Sequence, residues 1–351
     1  MNGALALVRP LFSRRILGAA MTASVLGLAG RVIAVPIPTY VREWGPEGAA
    51  VGELKQPRGI TVDPQGTVYI TDSMNHRIVK YDSTGTLLAT WGSLGTGAGQ
   101  FNHPVDIEAD ALGHLFIVDE NNRRVVKITT SGDFVLAWTG SSAGDFNLPF
   151  AIGVAPDGSV YVSENFDGSI QHYTNDGVYL GRWGTPGGGP GEFTLPLGIT
   201  VDRAGSVFVS DVESNTVQKF SPTGDLLARW GGTGSAPGQF MTAFGIAIDP
   251  SGNVLVVDHH NFRIQIFSNA GDYLGMWGTK GVGPNEFASS HGMTCDSRGQ
   301  IYVLDFQGSV SCCYVQKYAS RAVPVRTVSW ADIKAAYGGK GQRPAPMPLK
   351  P

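Results

Sequence analysis

Tryptophan recurs at a nearly constant interval along this chain. Successive residues of the series lie 47, 47, 45, 47 and 47 positions apart, at Trp44, Trp91, Trp138, Trp183, Trp230 and Trp277. A period of this length is typical of propeller blades or solenoid units, in which each repeat buries its apolar face against its neighbours. Glycine accounts for 48 of the 351 residues and hydrophobic residues for 42 %. The composition therefore predicts a compact fold with many tight turns.

Each copy of the repeat reads as four short strands. In the first copy a buried strand, Gly59–Asp63, leads into an Asp-x-x-Gly turn. Asp is favoured at the first position of a β-turn and Gly at the last. Three further β-rich segments follow, at Thr67–Thr71, Arg77–Tyr81 and Thr86–Trp91. Six copies are present and no segment has a convincing helical period. The fold class predicted is all-β, a six-bladed β-propeller.

The two ends of the repeat region predict how the ring closes. The sixth copy, His291–Tyr318, lacks a fourth strand, whereas Thr39–Trp44 resembles the fourth strands of other copies. We expect this N-terminal strand to complete the last blade, which removes an open edge. The propeller then spans 39–318. Residues 319–351 form a tail with one short helix and a Pro-rich end.

The N-terminal segment predicts export. Residues 1–42 contain no Asp or Glu, and Arg14 and Arg15 precede the apolar run Ile16–Gly30, which is short for a membrane span. We interpret 1–34 as an export signal of twin-arginine type with cleavage after Ala34, leaving no integral membrane span in the mature chain. An uncleaved anchor or an organelle transit peptide are the alternatives. The predicted location is periplasmic or extracellular.

Charge argues against one class of partner. Removing 1–34 takes away four of the 26 basic residues and none of the 29 acidic ones, so the balance becomes 22 − 29 = −7. Such a surface repels phosphate backbones, so we expect no nucleic-acid partner. The expected partner is a small molecule, peptide or glycan, and the expected state is a monomer.

The blade sequences resemble a known repeat. Val68-Tyr-Ile-Thr-Asp-Ser-Met-Asn-His-Arg-Ile-Val-Lys-Tyr81 is similar to the NHL repeat, and the resemblance covers roughly residues 40–318. It implies a six-bladed scaffold but leaves function open, because propellers of this kind serve as amidating lyases, RNA-binding modules and extracellular sensor or adhesion domains.

One residue per blade is expected at the upper mouth of the central channel. These residues immediately precede or begin the first strand and are Arg58, Val105, Phe150, Leu197, Phe244 and His291. Four are apolar, and the two polar ones belong to blades that are neighbours in a closed ring. The mouth therefore suits a small, largely apolar molecule with one anionic or carbonyl group. The alternative is that Arg58 pairs with Asp72 or Asp305 and only ties blades together.

Histidines at the same face raise the question of metal binding. The resemblance implies that amidating lyases hold zinc with three mouth-position histidines, and only His291 matches that pattern here. Their catalytic Arg and Tyr also have no counterpart after the blade carboxylates. A different cluster, formed by Asp258, His259, His260 and His291, leaves one divalent metal ion open, against the alternative of solvated loop histidines. No resident cofactor is expected.

Other recurring residues are expected to be structural. The carboxylates that end each second strand should accept N–H groups of the turn that follows: Asp72, Asp119, Glu164, Asp211, Asp258 and Asp305. Leu54, Phe101, Phe146, Phe193, Phe240 and Phe287 should fill the space between blades. The pairing of Cys295, Cys312 and Cys313 cannot be read from their spacing.

Two functional hypotheses follow. The first is an exported propeller that binds a peptide, glycan or small apolar anionic ligand on its top face. The alternative is a metal-assisted or acid–base lyase, hydrolase or isomerase that acts at the channel mouth, with His291 and Arg58 as the candidate catalytic residues.

Overall fold

The structure, a computed structural model, describes residues 37–141, 144–306 and 312–319. Over these residues the chain forms six four-stranded antiparallel sheets, one per blade. Within the same ranges, no helix has the length and apolar character needed to cross a membrane.

One strand precedes the first blade. The strands of blades 1, 2 and 3 then follow one another along the chain. The entering strand is β1 (Thr39–Pro46). The strands of blade 1 are β2 (Pro57–Val62), β3 (Val68–Asp72), β4 (Arg77–Tyr81) and β5 (Leu87–Trp91). Those of blade 2 are β6 (Pro104–Ala109), β7 (His114–Asp119), β8 (Arg124–Thr129) and β9 (Phe134–Trp138). A two-residue hairpin follows, with β10 (Gly140–Ser141) and β11 (Gly144–Asp145), and blade 3 contains β12 (Pro149–Val154), β13 (Val160–Glu164), β14 (Ser169–Tyr173) and β15 (Tyr179–Trp183).

The remaining blades repeat this plan. A parallel two-residue ladder, β16 (Thr185–Pro186) with β17 (Glu192–Phe193), precedes blade 4, which contains β18 (Pro196–Val201), β19 (Val207–Asp211), β20 (Thr216–Phe220) and β21 (Leu226–Gly231). Blade 5 contains β22 (Ala243–Ile248), β23 (Val254–Asp258), β24 (Arg263–Phe267) and β25 (Tyr273–Trp277). A second parallel ladder, β26 (Thr279–Lys280) with β27 (Glu286–Phe287), leads to β28 (Ser290–Cys295), β29 (Gln300–Phe306) and β30 (Cys312–Ala319). Single 3₁₀ turns follow three of the second strands, at Ser73–Asn75, Glu120–Asn122 and His259–Asn261.

The first strands of the six blades form the inner ring. Each of them contacts the first strand of the next blade, and β28 of the last blade contacts β2 of the first. The ring is therefore closed, and these strands surround the central channel.

The last blade is completed by the N-terminal strand, as predicted. Its strand order is β1-β30-β29-β28, and β1 pairs antiparallel with β30 from Thr39 opposite Ala319 to Trp44 opposite Val315. The six-bladed all-β fold is thus confirmed together with its mode of closure.

Aromatic side chains join the blades to one another. The predicted interblade series is fully buried, with exposures of 0 to 2 % at Leu54, Phe101, Phe146, Phe193, Phe240 and Phe287. The tryptophans contact the next blade: Trp138 of blade 2 lies against Gly177, which turns between β14 and β15 of blade 3. A Cβ at Gly177 would lie 2.8 Å from the Trp138 ring, so glycine is what allows the contact.

Several predictions concern residues outside the described ranges. The export signal at 1–34 and the tail beyond Ala319, with its short helix, belong to them, as do the side chains of Cys312 and Cys313. Cys295 is described, and its thiol is free.

Candidate functional site

A cavity of 820 Å³ occupies the channel. All six predicted mouth residues line it, namely Arg58, Val105, Phe150, Leu197, Phe244 and His291. The cavity is longer than the predicted mouth. It continues along the first strands as far as the Asp-x-x-Gly turns of blades 4, 5 and 6. The predicted residues therefore converge on one space, although their role there stays a prediction.

Arg58 lines the cavity, and its guanidinium lies 5.8 Å from the centre of the Phe150 ring, at cation–π distance. None of the ion pairs among the described residues includes Arg58. The predicted alternative, an ion pair of Arg58 with Asp72 or Asp305, is therefore wrong; Asp72 pairs with Arg77 at 2.7 Å, and Asp305 accepts a hydrogen bond from Ser290.

His291 is a neutral imidazole. Its ring contacts the Phe244 ring edge-on at 4.8 Å and the His259 ring at 5.0 Å. Burial, assisted by His259 and Arg58, lowers the pKa of His291 to about 3. At neutral pH the ring can donate and accept hydrogen bonds to a ligand, but it is too weak a base to remove a proton efficiently.

Three of the four side chains predicted as possible metal ligands have hydrogen-bond partners within the protein. Asp258 accepts hydrogen bonds from Arg263 at 2.7 Å and from the Met241 amide at 2.7 Å. His259 uses Nδ1 to donate to the Ser290 carbonyl at 2.8 Å, and the His260 Nδ1 lies 2.6 Å from the Thr242 hydroxyl. Within the described part of the chain, no three His, Cys, Asp or Glu side chains are arranged to hold a metal ion.

Two carboxylates in the cavity were missed by the sequence reasoning. Asp106 and Glu108 of β6 both line it. The strand registers align Asp106 with glycine or alanine in every other blade, at Gly59, Ala151, Gly198, Gly245 and Gly292. Glu108 aligns with Thr61, Gly153, Thr200, Ala247 and Thr294. A comparison of the copies position by position, looking for a single departure, would have found them.

These carboxylates are held in a setting that favours their neutral forms. The two oxygens of Asp106 accept hydrogen bonds from the Ile107 and Ile152 amides at 2.9 and 2.8 Å, and burial raises the pKa of Asp106 to about 7. Burial and the nearby Asp106 raise the pKa of Glu108 to about 8, against the opposing effect of a hydrogen bond with Thr61. Carboxyl groups with pKa values near neutrality in a cavity are typical of functional sites.

The recurring carboxylates at the ends of the second strands accept hydrogen bonds from the following turn, as predicted, and also from a segment that was not predicted. Asp72 accepts one from Asn75 and Asp119 one from Asn122, while the Lys55 and Asn102 amides, 17 residues upstream, donate to the same two carboxylates. The other four blades use the same upstream partners. Each carboxylate therefore fastens the loop that enters its own blade.

The fold and this cavity define the class: the chain is a six-bladed β-propeller that contains NHL repeats. A model of the NHL repeat matches residues 54–81 and 193–220, and a model described as a 6-bladed beta-propeller matches residues 248–311. No curated protein sequence matches the chain.

Solved structures with the same fold include enzymes. A streptogramin B lyase is 16 % identical, with a TM-score of 0.57 over 80 % of this chain and 97 % of that one. A gluconolactonase from Xanthomonas campestris is 15 % identical, with a TM-score of 0.56 over 81 % and 98 %. A protein of unknown function from Bacteroides thetaiotaomicron is 15 % identical, with a TM-score of 0.59 over 78 % and 72 %. At these identities the likeness shows the fold alone.

Proposed function

We propose that the chain binds a small, partly apolar molecule in its central cavity and holds an anionic group of that molecule with Arg58. The observation that carries the proposal is the position of Arg58, which lines an 820 Å³ cavity beside Phe150 and forms no ion pair with the described residues. Phe150, Leu197 and Phe244 supply apolar surface for the rest of the ligand. A carboxylate is the natural partner, because guanidinium can bind it with two parallel hydrogen bonds.

Calorimetric titration with a simple carboxylate tests this proposal. Caproate should bind the wild type, and Arg58→Met should weaken binding at least about tenfold while the melting temperature is unchanged. Arg203→Met is the matched control, because Arg203 lines the far end of the same cavity. Equal binding by wild type and Arg58→Met would refute the proposal, as would a loss confined to Arg203→Met.

The proposed binding requires no resident metal ion, since Arg58 supplies the charge. Protein treated with EDTA should therefore bind caproate as tightly as untreated protein. Restoration of lost binding by zinc would instead favour the metal-assisted alternative.

A second candidate function, acid–base catalysis in the cavity, is favoured by one observation. Asp106 and Glu108 both line the cavity, and burial raises the pKa values of these carboxyl groups towards the range in which they can both accept and donate a proton. This moves the candidate acid–base role from His291 to these two residues. Because a lyase and a gluconolactonase share the fold, lactone hydrolysis and elimination are the reactions to assay. Turnover that is lost in Glu108→Gln would establish this function over simple binding.

We also propose that the protein acts outside the cytoplasm, as Arg14, Arg15 and the apolar run after them suggest. Fractionation of expressing cells with N-terminal sequencing tests this. A chain in the exported fraction that begins near Val35 would support the proposal, whereas an intact chain in the cytoplasm would refute it.

A further inference from the structure

A guanidinium and two carboxyl groups line the cavity without pairing to one another. Arg58 belongs to β2 of blade 1, while Asp106 and Glu108 belong to β6 of the adjacent blade. No ion pair among the described residues joins Arg58 to either carboxylate, and none joins the carboxylates to any other cation. Neighbouring blades thus present a guanidinium and two carboxyl groups to one space.

Burial of unpaired ionised groups carries a cost in free energy. A charge removed from water is normally paired or hydrogen-bonded, because desolvation disfavours an isolated charge strongly. Asp106 receives two amide hydrogen bonds, but no described cation forms an ion pair with Asp106 or Glu108, and burial raises the pKa values of both carboxyl groups. The other five blades avoid the cost, since they have Gly or Ala at the position equivalent to Asp106 and Thr, Gly or Ala at the position equivalent to Glu108.

Among the described residues, the elements packed against β6 bring no cation that pairs with Asp106 or Glu108, and Arg203, the other cation in the lining, lies in the Asp-x-x-Gly turn of blade 4. The strands on either side, β2 and β12, bring only Arg58 as an ionisable group, and β7 brings His114 and Asp119, which pair with Asp110 and Arg124. The other ionisable groups that line the cavity are His291, Asp202, Arg203, Asp249, Cys295 and Asp296. Asp202, Asp249 and Asp296 accept amide hydrogen bonds in their own turns.

Apolar side chains line the same cavity. The Phe150 ring of blade 3 lies 5.8 Å from the Arg58 guanidinium, the Ile152 amide donates a hydrogen bond to Asp106, and Ile246 and Met293 line the cavity from blades 5 and 6. A hydrocarbon body would bury against these groups while its two ends met the charges.

We propose that the cavity takes a dipolar ligand, a molecule that carries a carboxylate held by Arg58 and an ammonium group held by Asp106 and Glu108 across a short apolar body. The inference rests on the proposed function, since it adds a second polar end to the ligand that Arg58 binds. The ammonium group supplies the missing cation of the two carboxylates, and the carboxylate supplies the missing anion of Arg58.

The proposal predicts opposite pH dependence for two kinds of ligand. As pH rises from about 6 to about 9, Asp106 and Glu108 lose their protons while an alkyl ammonium group keeps its own. Their negative charge then attracts an ammonium group and repels a lone carboxylate. Binding of a dipolar ligand should therefore strengthen with pH, whereas binding of a simple carboxylate should weaken.

Three six-carbon probes, ε-aminocaproate, caproate and hexylamine, separate the contribution of the carboxylate to binding from that of the ammonium group. Their binding is measured by calorimetry. At about pH 9, ε-aminocaproate should bind wild type at least about tenfold more tightly than caproate or hexylamine. Glu108→Gln should remove most of that gain and leave caproate binding equal or tighter. Because Gln could disturb the strand, Glu108→Thr serves as the second variant, since Thr stands at this position in blades 1, 4 and 6.

A length series makes the outcome decisive, with γ-aminobutyrate and ω-aminooctanoate beside ε-aminocaproate. If caproate binds through Arg58 but no amino acid of the series binds more tightly, the dipolar ligand is refuted and the proposed function stands. If Arg58→Met leaves caproate binding unchanged, the proposed function itself fails. A gain from the amine that survives both Glu108 variants and Asp106→Gly would also overturn the assignment.

Discussion

Asp119 illustrates how a single carboxylate organises the top of each blade. It is fully buried, and it accepts hydrogen bonds from the Asn102 amide at 2.6 Å, from Asn122 at 2.8 Å and from Arg124 at 2.7 Å. Arg124 in turn donates to the Thr96 and Gln100 carbonyls of the incoming loop. The pair therefore joins the end of β7, the start of β8 and the loop between two blades.

Asp119→Asn should destabilise the protein by about 3 kcal/mol, because it leaves the Arg124 guanidinium without its buried counter-charge. Urea unfolding followed by circular dichroism measures the change. Asp133→Asn in the same blade is the control, since Asp133 serves an exposed turn and should cost less than about 1 kcal/mol. A similar loss in both variants would contradict the argument.

Glu164 occupies the same place in blade 3 but has Ser169 where blade 2 has Arg124. Burial, the largest cause, raises the pKa of Glu164 to about 7. The folded protein then binds more protons than the unfolded chain between the ordinary glutamate pKa and about 7. The stability from this group is present at low pH and is lost as pH rises through that window.

Glu164→Gln should therefore increase the stability of the folded protein more at high pH than at low pH. The melting temperature of the variant relative to wild type should rise from about pH 5 to about pH 8. Differential scanning calorimetry at several pH values measures this difference, which removes the shared contribution of groups such as His291. A difference independent of pH would show that Glu164 is ionised in the folded protein.

Residue-level chemistry could be predicted only where one blade resembles the others. Arg58 and His291 were found because their mouth position is shared by all six copies. Asp106 and Glu108 were missed because they depart from the pattern in one copy, and a consensus reading averages such departures away. The Asn122 partner of Asp119 follows from local turn chemistry, whereas the Asn102 amide was missed because it lies 17 residues upstream.

At the scale of the element, the turn between the third and fourth strands carries the contact between blades. Gly177 has φ +76°, and its place against the Trp138 ring leaves no room for a side chain. The same contact recurs around the ring, with Trp44 against Gly85, Trp91 against Gly132, Trp183 against Gly224 and Trp230 against Gly271.

Gly177→Ala should lower the free energy of unfolding by more than the strain of the backbone conformation alone explains. A left-handed conformation costs a non-glycine residue about 1–2 kcal/mol, and displacement of the Trp138 ring should add a comparable amount. Gly158→Ala in the same blade is the control, since Gly158 has φ +90° but its nearest neighbour lies at 3.5 Å. Chemical denaturation of both variants measures the excess, and equal losses would mean that the ring contact carries no energy.

At the scale of the whole molecule, closure depends on one strand. β1 is the outermost strand of the last blade, and Trp44 at its end contacts Tyr302 of that blade and Tyr81 of blade 1 at ring distances of 6.1 and 6.3 Å. The architecture and its closure could be predicted from sequence, because a sixfold repeat with a displaced fourth strand has few other solutions. The extent of the cavity could not, since it depends on how closely six inner strands approach.

A chain that begins at Glu47 should lose cooperative thermal unfolding, because the seam between blades 6 and 1 opens. A chain that begins at Ile37 is the control and keeps β1. Adding a synthetic peptide of the sequence Thr39–Pro46 should restore part of the lost melting temperature by filling the vacant edge. Equal melting of the two truncated chains would show that the ring holds without this strand.

The pairing of Thr39 with Ala319 also means that β1 is synthesised long before its partner strand. The two residues are 319 − 39 = 280 positions apart, and ribosomes add about 5–20 residues per second. The nascent β1 must wait for about 15 to 60 seconds before its partner emerges, and throughout that time it is an open template for any other growing chain. Slow elongation or crowded polysomes would therefore favour exchange of this strand between molecules.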